Sequence, residues 1–194
     1  MLSDETFDVL FRKARSHNAW QDKPVSDVTL QALYDLMRWG PTSANCFPAR
    51  FVFVKSDEAK DRLVACVAPA NADKVRTAPV VAIIGYDTEF YERLPELFPH
   101  NPQARDWFAN DAELAAATAF RNSTLQGAYL MLAARALGLD CGPMSGFDNA
   151  KLDNAFFAER KIKSNFICAL GHGDQGKLFP RSPRPAFADV CTIA

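Results

Sequence analysis

No apolar run in this chain approaches the roughly 18 consecutive residues that a membrane-spanning helix needs, and the opening residues mix acids with bases where an export signal would carry an apolar stretch. Neither sign of charge is in surplus. Lys plus Arg (22) against Asp plus Glu (23) leave a formal net charge of −1, so no broad positive field exists to hold DNA or RNA. There is no Cys-x-x-Cys pair, and the five cysteines, Cys46, Cys66, Cys141, Cys168 and Cys191, are odd in number and scattered. That pattern disfavours a zinc ribbon and a disulfide framework, and each thiol reads as a small buried apolar group. The histidines, His17, His100 and His172, lack metal-ligand spacing, so no metal is expected. What remains is a cytoplasmic globular protein that works on a small molecule, with neither nucleic acid nor membrane among its partners.

The 194 residues are 48% hydrophobic and 23% charged, ordinary values for one domain over 1–194, and no linker or repeat divides them. Ser3 and Ser26 are candidate caps for two amphipathic helices, one carrying Phe7, Leu10, Phe11 and Ala14, the other Leu30, Leu33, Tyr34 and Met37. The second must stop at Trp39-Gly40-Pro41, and a loop follows. Residues 51–54 read as a strand, 57–67 as a helix, and 80–86 as a buried strand. Residues 87–111 hold three prolines and several aromatics, which suits an excursion of short helical pieces acting as a cover. Its Phe90, Tyr91, Trp107 and Phe108 read as packing before substrate contacts. Residues 112–139 predict the longest helix, with small side chains that allow close approach of another. A short strand is expected at 139–141, then a turn at 142–146, a helix over 148–157 and a last central strand over 163–170.

Gly171-His172-Gly173-Asp174-Gln175-Gly176 matches the dinucleotide-binding pattern G-x-G-x-x-G directly after a strand. That turn works by opening a helix onto a pyrophosphate, and Phe179-Pro180-Arg181-Ser182-Pro183-Arg184-Pro185 cannot supply one. The pattern is therefore set aside.

Three segments carry more. Arg15-Ser16-His17-Asn18-Ala19-Trp20, Trp39-Gly40-Pro41-Thr42-Ser43-Ala44-Asn45-Cys46-Phe47-Pro48 and Pro143-Met144-Ser145-Gly146-Phe147-Asp148 together resemble the FMN-dependent nitroreductase family. The resemblance implies an α+β three-layer sandwich with a central, mainly antiparallel sheet, in an intertwined homodimer with FMN at the interface. It also implies NADH or NADPH as co-substrate. Carried over by position, Arg15, Ser16 and His17 belong to the flavin-phosphate segment, and Pro41, Thr42, Ser43 and Asn45 to a loop serving the partner's flavin. Pro143, Met144, Ser145 and Gly146 belong to a turn beside flavin N5. Asn71 and Lys74 look like the family's residues at the N1 and O2 edge, and Arg181 and Arg184 like its C-terminal phosphate clamp. Ser145 stands where several members have Glu, and Asn18 where a basic residue is common.

The chemistry suits those residue types. Arginines give a phosphate dianion charge-assisted hydrogen bonds, an ammonium at Lys74 would stabilise negative charge on the reduced flavin, and Gly146 without a Cβ lets its N–H approach closely. No catalytic side chain is required, because the flavin exchanges hydride. Arg121 is a candidate for a substrate carboxylate, against the plainer reading of a helix-surface ion pair.

The runs Trp39–Cys46, Glu89–Pro95 and Ala119–Ser123 are similar to the malonic semialdehyde reductases of bacterial uracil degradation. A general quinone or nitro reductase stays open, as does a flavin-binding protein with no hydride role.

Overall fold

The four strands of the computed structural model, which describes residues 1–194, form one antiparallel sheet: β1 (Ala49–Val54), β2 (Val80–Asp87), β3 (Asp140–Met144) and β4 (Ile162–Gly171). Their order is β1-β2-β4-β3, so the two most apolar strands lie at the centre. Side chains alternate across a strand, which sends Val80, Ala82 and Ile84 to one face and Val81 and Ile83 to the other. Both faces must then be covered.

One face is covered by α2 (Asp27–Met37) and by the long helix α7 (Ala112–Ala136), through Leu30, Leu33, Met37, Leu130 and Ala134. The other is covered by α3 (Asp57–Val64), α4 (Pro69–Thr77) and α8 (Asn149–Phe157), through Leu63, Val75, Leu152 and Phe157. The expected three-layer α+β arrangement is present. At the N-terminus α1 (Asp4–Phe7) continues as a π-helical turn, Asp8–Arg12. Ser3, Ser26, Ser56, Asp111 and Asp148 each accept a main-chain N–H at a helix start, worth about 1 kcal/mol apiece.

The excursion between β2 and α7 contains α5 (Leu94–Leu97) and α6 (Ala104–Ala109) and has a small core of its own. Phe90, Leu94, Phe108, Ala115 and Ala119 pack there, with Phe90 edge-on to Phe108 at 5.1 Å, so these two aromatics are packing groups. Trp107 stays half exposed at 49%.

Four local expectations are corrected. The helix expected over 57–67 ends at Val64. The helix α4 forms where none was foreseen, because Pro69 sits at its first turn, where a missing N–H costs nothing. The long helix ends at Ala136, three residues early, and Gly138 turns the chain at φ 77°. Gly142-Pro143-Met144 extends β3 and does not form a turn. Pro143 is tolerated because β3 is an edge strand, and Met144 is buried in the core. No helix is long and apolar enough to cross a membrane.

Candidate functional site

A cleft of about 570 Å³ opens where the segment after α1 meets the C-terminal tail. Arg12, Arg15, Ser16, Asn18, Arg135, Arg181, Ser182 and Arg184 line it, with no Asp or Glu. Arg12 is already neutralised by Asp4 at 2.7 Å and Asp8 at 2.9 Å. The other four guanidiniums have no carboxylate partner and rest on main-chain carbonyls. Arg15 donates to Phe179 O (2.5 Å), Arg181 to Ala14 O (3.0 Å), Arg184 to Ser182 O (3.1 Å) and Pro183 O (3.0 Å), and Arg135 to Leu10 O (2.8 Å). Arg15 and Arg181 thus tie the N-terminal segment and the tail to each other. The Nε of Arg135 is buried and donates to nothing in the chain. Concentrated positive charge with spare donors fits a phosphate-like dianion.

Arg135 was not among the sequence candidates. On the last turn of α7 it reads as an ordinary cation at a helix C-terminus, and only the fold brings it beside Ser16, which bridges to Cys141 on β3.

At the turn after β3 the carbonyl of Gly146 accepts from Ala68 N (2.9 Å) and Asn71 Nδ2 (3.0 Å). A Cβ on residue 146 would lie 2.8 Å from Asn71 Nδ2, so the glycine is what lets the asparagine dock. The N–H of Gly146 has no acceptor within the chain, and Ser145 beside it is exposed. Lys74, one turn beyond Asn71 on α4, is half-buried and makes no ion pair. The structure therefore brings Asn71 onto the Gly146 turn.

The loop after α2 is the most strained segment. Ala44, Asn45 and Phe47 hold φ of 47°, 50° and 40°, at a cost of roughly 1–3 kcal/mol for each non-glycine residue so held. Ser43 N donates to Asn122 Oδ1, Phe47 N to Thr42 Oγ1, and Pro41 O accepts from the Tyr129 hydroxyl. Cys46 is buried within it, and burial pushes its thiol up to about 11. The amide of Asn45 does not project free, because it donates to Leu97 O of the excursion at 2.7 Å. Pro41 and Asn45 line a separate cavity of about 600 Å³ with Tyr34, Arg38, Trp39 and Leu97, and no residue of this loop lines the arginine cleft.

Two candidates face away from any cleft. The His17 imidazole is 2% exposed, lies in tilted contact with Trp20 and comes within 3.4 Å of Asp140. The side chain of Met144 belongs to the core. Arg121 is exposed on α7 without the ion pair that the plainer reading foresaw. The G-x-G-x-x-G run leads into a short 3-10 turn, Gln175–Lys177, and the run does not open a helix, the next helical turn being Phe187–Val190. Gly173 is glycine because a Cβ there would drive into the His17 ring, and Gly176 donates its N–H to Asp174 Oδ1 at 2.9 Å.

A four-stranded antiparallel sheet between helical layers, with a carboxylate-free arginine cleft and a glycine turn offering a spare N–H, defines an α+β protein with a cleft suited to an anion. The chain belongs to the nitroreductase family, whose profile matches residues 11–172. A Ralstonia pickettii protein provisionally named NADH dehydrogenase/NAD(P)H nitroreductase HadB is 65% identical, covering 100% of both chains. A Burkholderia lata protein under the same provisional description is 61% identical over 99% of this chain and 98% of its own. Among solved structures, an Exiguobacterium sibiricum protein, provisionally called a nitroreductase and crystallised with FMN, matches with a TM-score of 0.88 at 19% identity. That match covers 100% of this chain and 99% of the other, and at that identity it speaks for the fold alone.

Proposed function

We propose that this protein is an FMN-dependent NAD(P)H oxidoreductase that works as a homodimer on a small acceptor, malonic semialdehyde being the acceptor its sequence favours. The observation that carries the reading is the arginine cleft, with four guanidiniums free of carboxylates and a buried Nε on Arg135 still without an acceptor. When bound, FMN supplies the hydride exchange, taking hydride from NAD(P)H and passing it to the acceptor. The chain's residues do separable work around it. Arg15, Ser16, Arg135, Arg181 and Arg184 hold the phosphate, and Lys74, with its unpaired ammonium, stabilises negative charge at the pyrimidine end of the ring. Asn71 and the spare N–H of Gly146 give that ring its fixed polar contacts. Arg121, exposed and unpaired, is the candidate cation for the carboxylate of the acceptor.

A second copy completes the site in this reading. Pro41, Thr42, Ser43 and Asn45 belong to a loop that lies apart from their own chain's cleft and would serve the partner's flavin. Several large apolar side chains stand open, among them Trp39 (79% exposed), Phe120 (52%), Phe179 (71%) and Phe187 (64%), and a second copy would have these to cover. Phe120 lies on α7 near the small residues Ala116 and Ala117, which favour close helix contact.

Anaerobic addition of NADH or NADPH to the FMN-loaded protein should bleach the oxidised flavin absorption. Persistence of that absorption with both nucleotides would overturn the oxidoreductase reading. At equal concentration, malonic semialdehyde should turn over faster than menadione or a nitroarene, and the reverse order would make the protein a general quinone and nitro reductase.

A further inference from the structure

Three side chains on α7 grip the loop after α2 and its junction with β1, at three main-chain points. Asn122 Oδ1 accepts from Ser43 N at 2.8 Å, Gln126 Oε1 accepts from Ala49 N at 2.9 Å, and the Tyr129 hydroxyl donates to Pro41 O at 3.0 Å. Their spacing, i, i+4 and i+7, puts all three on one helix face. Asn122 is fully buried, and its amide nitrogen donates to Thr118 O at 2.8 Å, which leaves its oxygen aimed at the loop. Gln126 is 4% exposed.

Between the gripped points lie Ala44, Asn45 and Phe47, all at positive φ. The opposite side of the loop is fastened as well, by Asn45 on Leu97 O and by Cys46, buried in the small core of the excursion. Strained backbone persists only where its surroundings over-determine it, and here both sides do. Buried amides on a helix that only packs against a sheet would be a poor choice beside Ala or Leu, since their desolvation is at best offset by their hydrogen bonds. Their use makes sense if the loop has one shape to keep.

We propose that Asn122, assisted by Gln126 and Tyr129, is a positioning residue: it holds the strained loop in the shape that presents Thr42 and Ser43 to the flavin. The cofactor's affinity then depends on a helix side chain that does not itself touch the cofactor. This rests on the FMN reading above, and the test separates the two.

The full-length protein, with and without FMN, would be compared with Asn122→Ala, Asn122→Asp and Tyr129→Phe by hydrogen–deuterium exchange of peptides spanning 41–49 and by FMN titration. In Asn122→Ala the orphaned Ser43 N–H and its neighbours should exchange about tenfold faster, with far-ultraviolet circular dichroism unchanged, and the FMN Kd should rise about tenfold or more. Asn122→Asp should recover most of both losses, because a carboxyl kept neutral by burial still accepts from Ser43 and donates to Thr118. Tyr129→Phe keeps the ring and loses only one bond, so it should fold in any case and show the same two changes at about threefold. Loop exchange and FMN Kd within twofold of wild type in both Asn122→Ala and Tyr129→Phe would overturn the proposal, as would an Asp variant no better than the Ala one. If Asn122→Ala does not fold, Tyr129→Phe decides alone. A wild-type protein that binds no FMN sinks the proposed function, while exchange in the free protein still tests the grip on the loop.

Discussion

The arginine cleft and the loop after α2 are held in opposite ways. In the cleft, charged side chains rest on main-chain carbonyls: Arg15 on Phe179, Arg181 on Ala14, Arg135 on Leu10. In the loop and where it enters β1, main-chain groups rest on neutral side chains, Ser43 N on Asn122 and Ala49 N on Gln126. The cleft therefore keeps donors and net charge in reserve for an incoming anion, and the walls of the tail, all exposed, can adjust to it. The loop keeps nothing in reserve and has its strained shape already set. One region offers affinity through charge, the other through a fixed form.

The difference breaks most sharply in the cleft. Replacing Arg15 and Arg181 together by Ala removes two charge-assisted donors, each worth roughly 1.5–3 kcal/mol, and FMN affinity should fall by about a thousandfold. Riboflavin, which has the ring without the phosphate, should lose less than about threefold. An equal loss for both ligands, read by fluorescence titration, would mean that these arginines do not hold the phosphate.

The loop should reveal itself through alkali. Burial raises the Cys46 thiol to about 11, so its proton is held more tightly in the folded chain than in the unfolded one. Its stabilising contribution is intact below the ordinary thiol range and is lost as pH rises toward about 11, up to about 2–3 kcal/mol at 1.36 kcal/mol per pKa unit. Urea midpoints should fall over that window, and Cys46→Ala should flatten the slope. Cys66, Cys168 and Tyr86 are also raised by burial, Cys168 first through its hydrogen bond with Cys141, so part of the slope should survive.

A smaller effect separates the tail turn from both regions. Gly173→Ala places a methyl against His17 and should cost about 1–3 kcal/mol of stability by overpacking, with FMN affinity unchanged. A loss of affinity without a loss of stability would return the G-x-G-x-x-G run to the list of ligand sites.

What the chain reveals before folding follows from how local each signal is. The central strand β2 is legible because six consecutive residues, Val80 to Gly85, are apolar or small enough to be buried on both faces, and Ser26 and Asp148 announce their helices within three residues. Arg15, Arg181 and Arg184 become candidates for a phosphate only through family likeness, since nothing in their spacing shows that residues 15 and 181 meet. Pro143, read as part of a turn, is an edge-strand residue, and Pro69, which starts α4, gave no reading at all, because a proline reports a forbidden N–H bond and not the element around it. His17 belongs to the same segment as Arg15 and Ser16 but has its ring turned inward, a distinction that depends on Gly173, over a hundred and fifty residues away.

Arg135 gives the finest test of the comparison, because it belongs to the cleft yet stands on α7, the helix that grips the loop. As a cleft residue it contributes charge and a buried unpartnered Nε; as a helix residue it anchors Leu10 O and so the turn after α1. Arg135→Met keeps most of the aliphatic bulk and removes both donors. If the cleft reading holds, FMN affinity should fall about tenfold with riboflavin affinity unchanged, and added salt should weaken FMN binding less steeply than in the wild type. If Arg135 acts only through Leu10, melting temperature should drop while the FMN affinity and its salt dependence stay as they were. Because Asn122 lies more than three turns away on the same helix, loop exchange in Arg135→Met should match the wild type, and the two regions would then be separable along one helix.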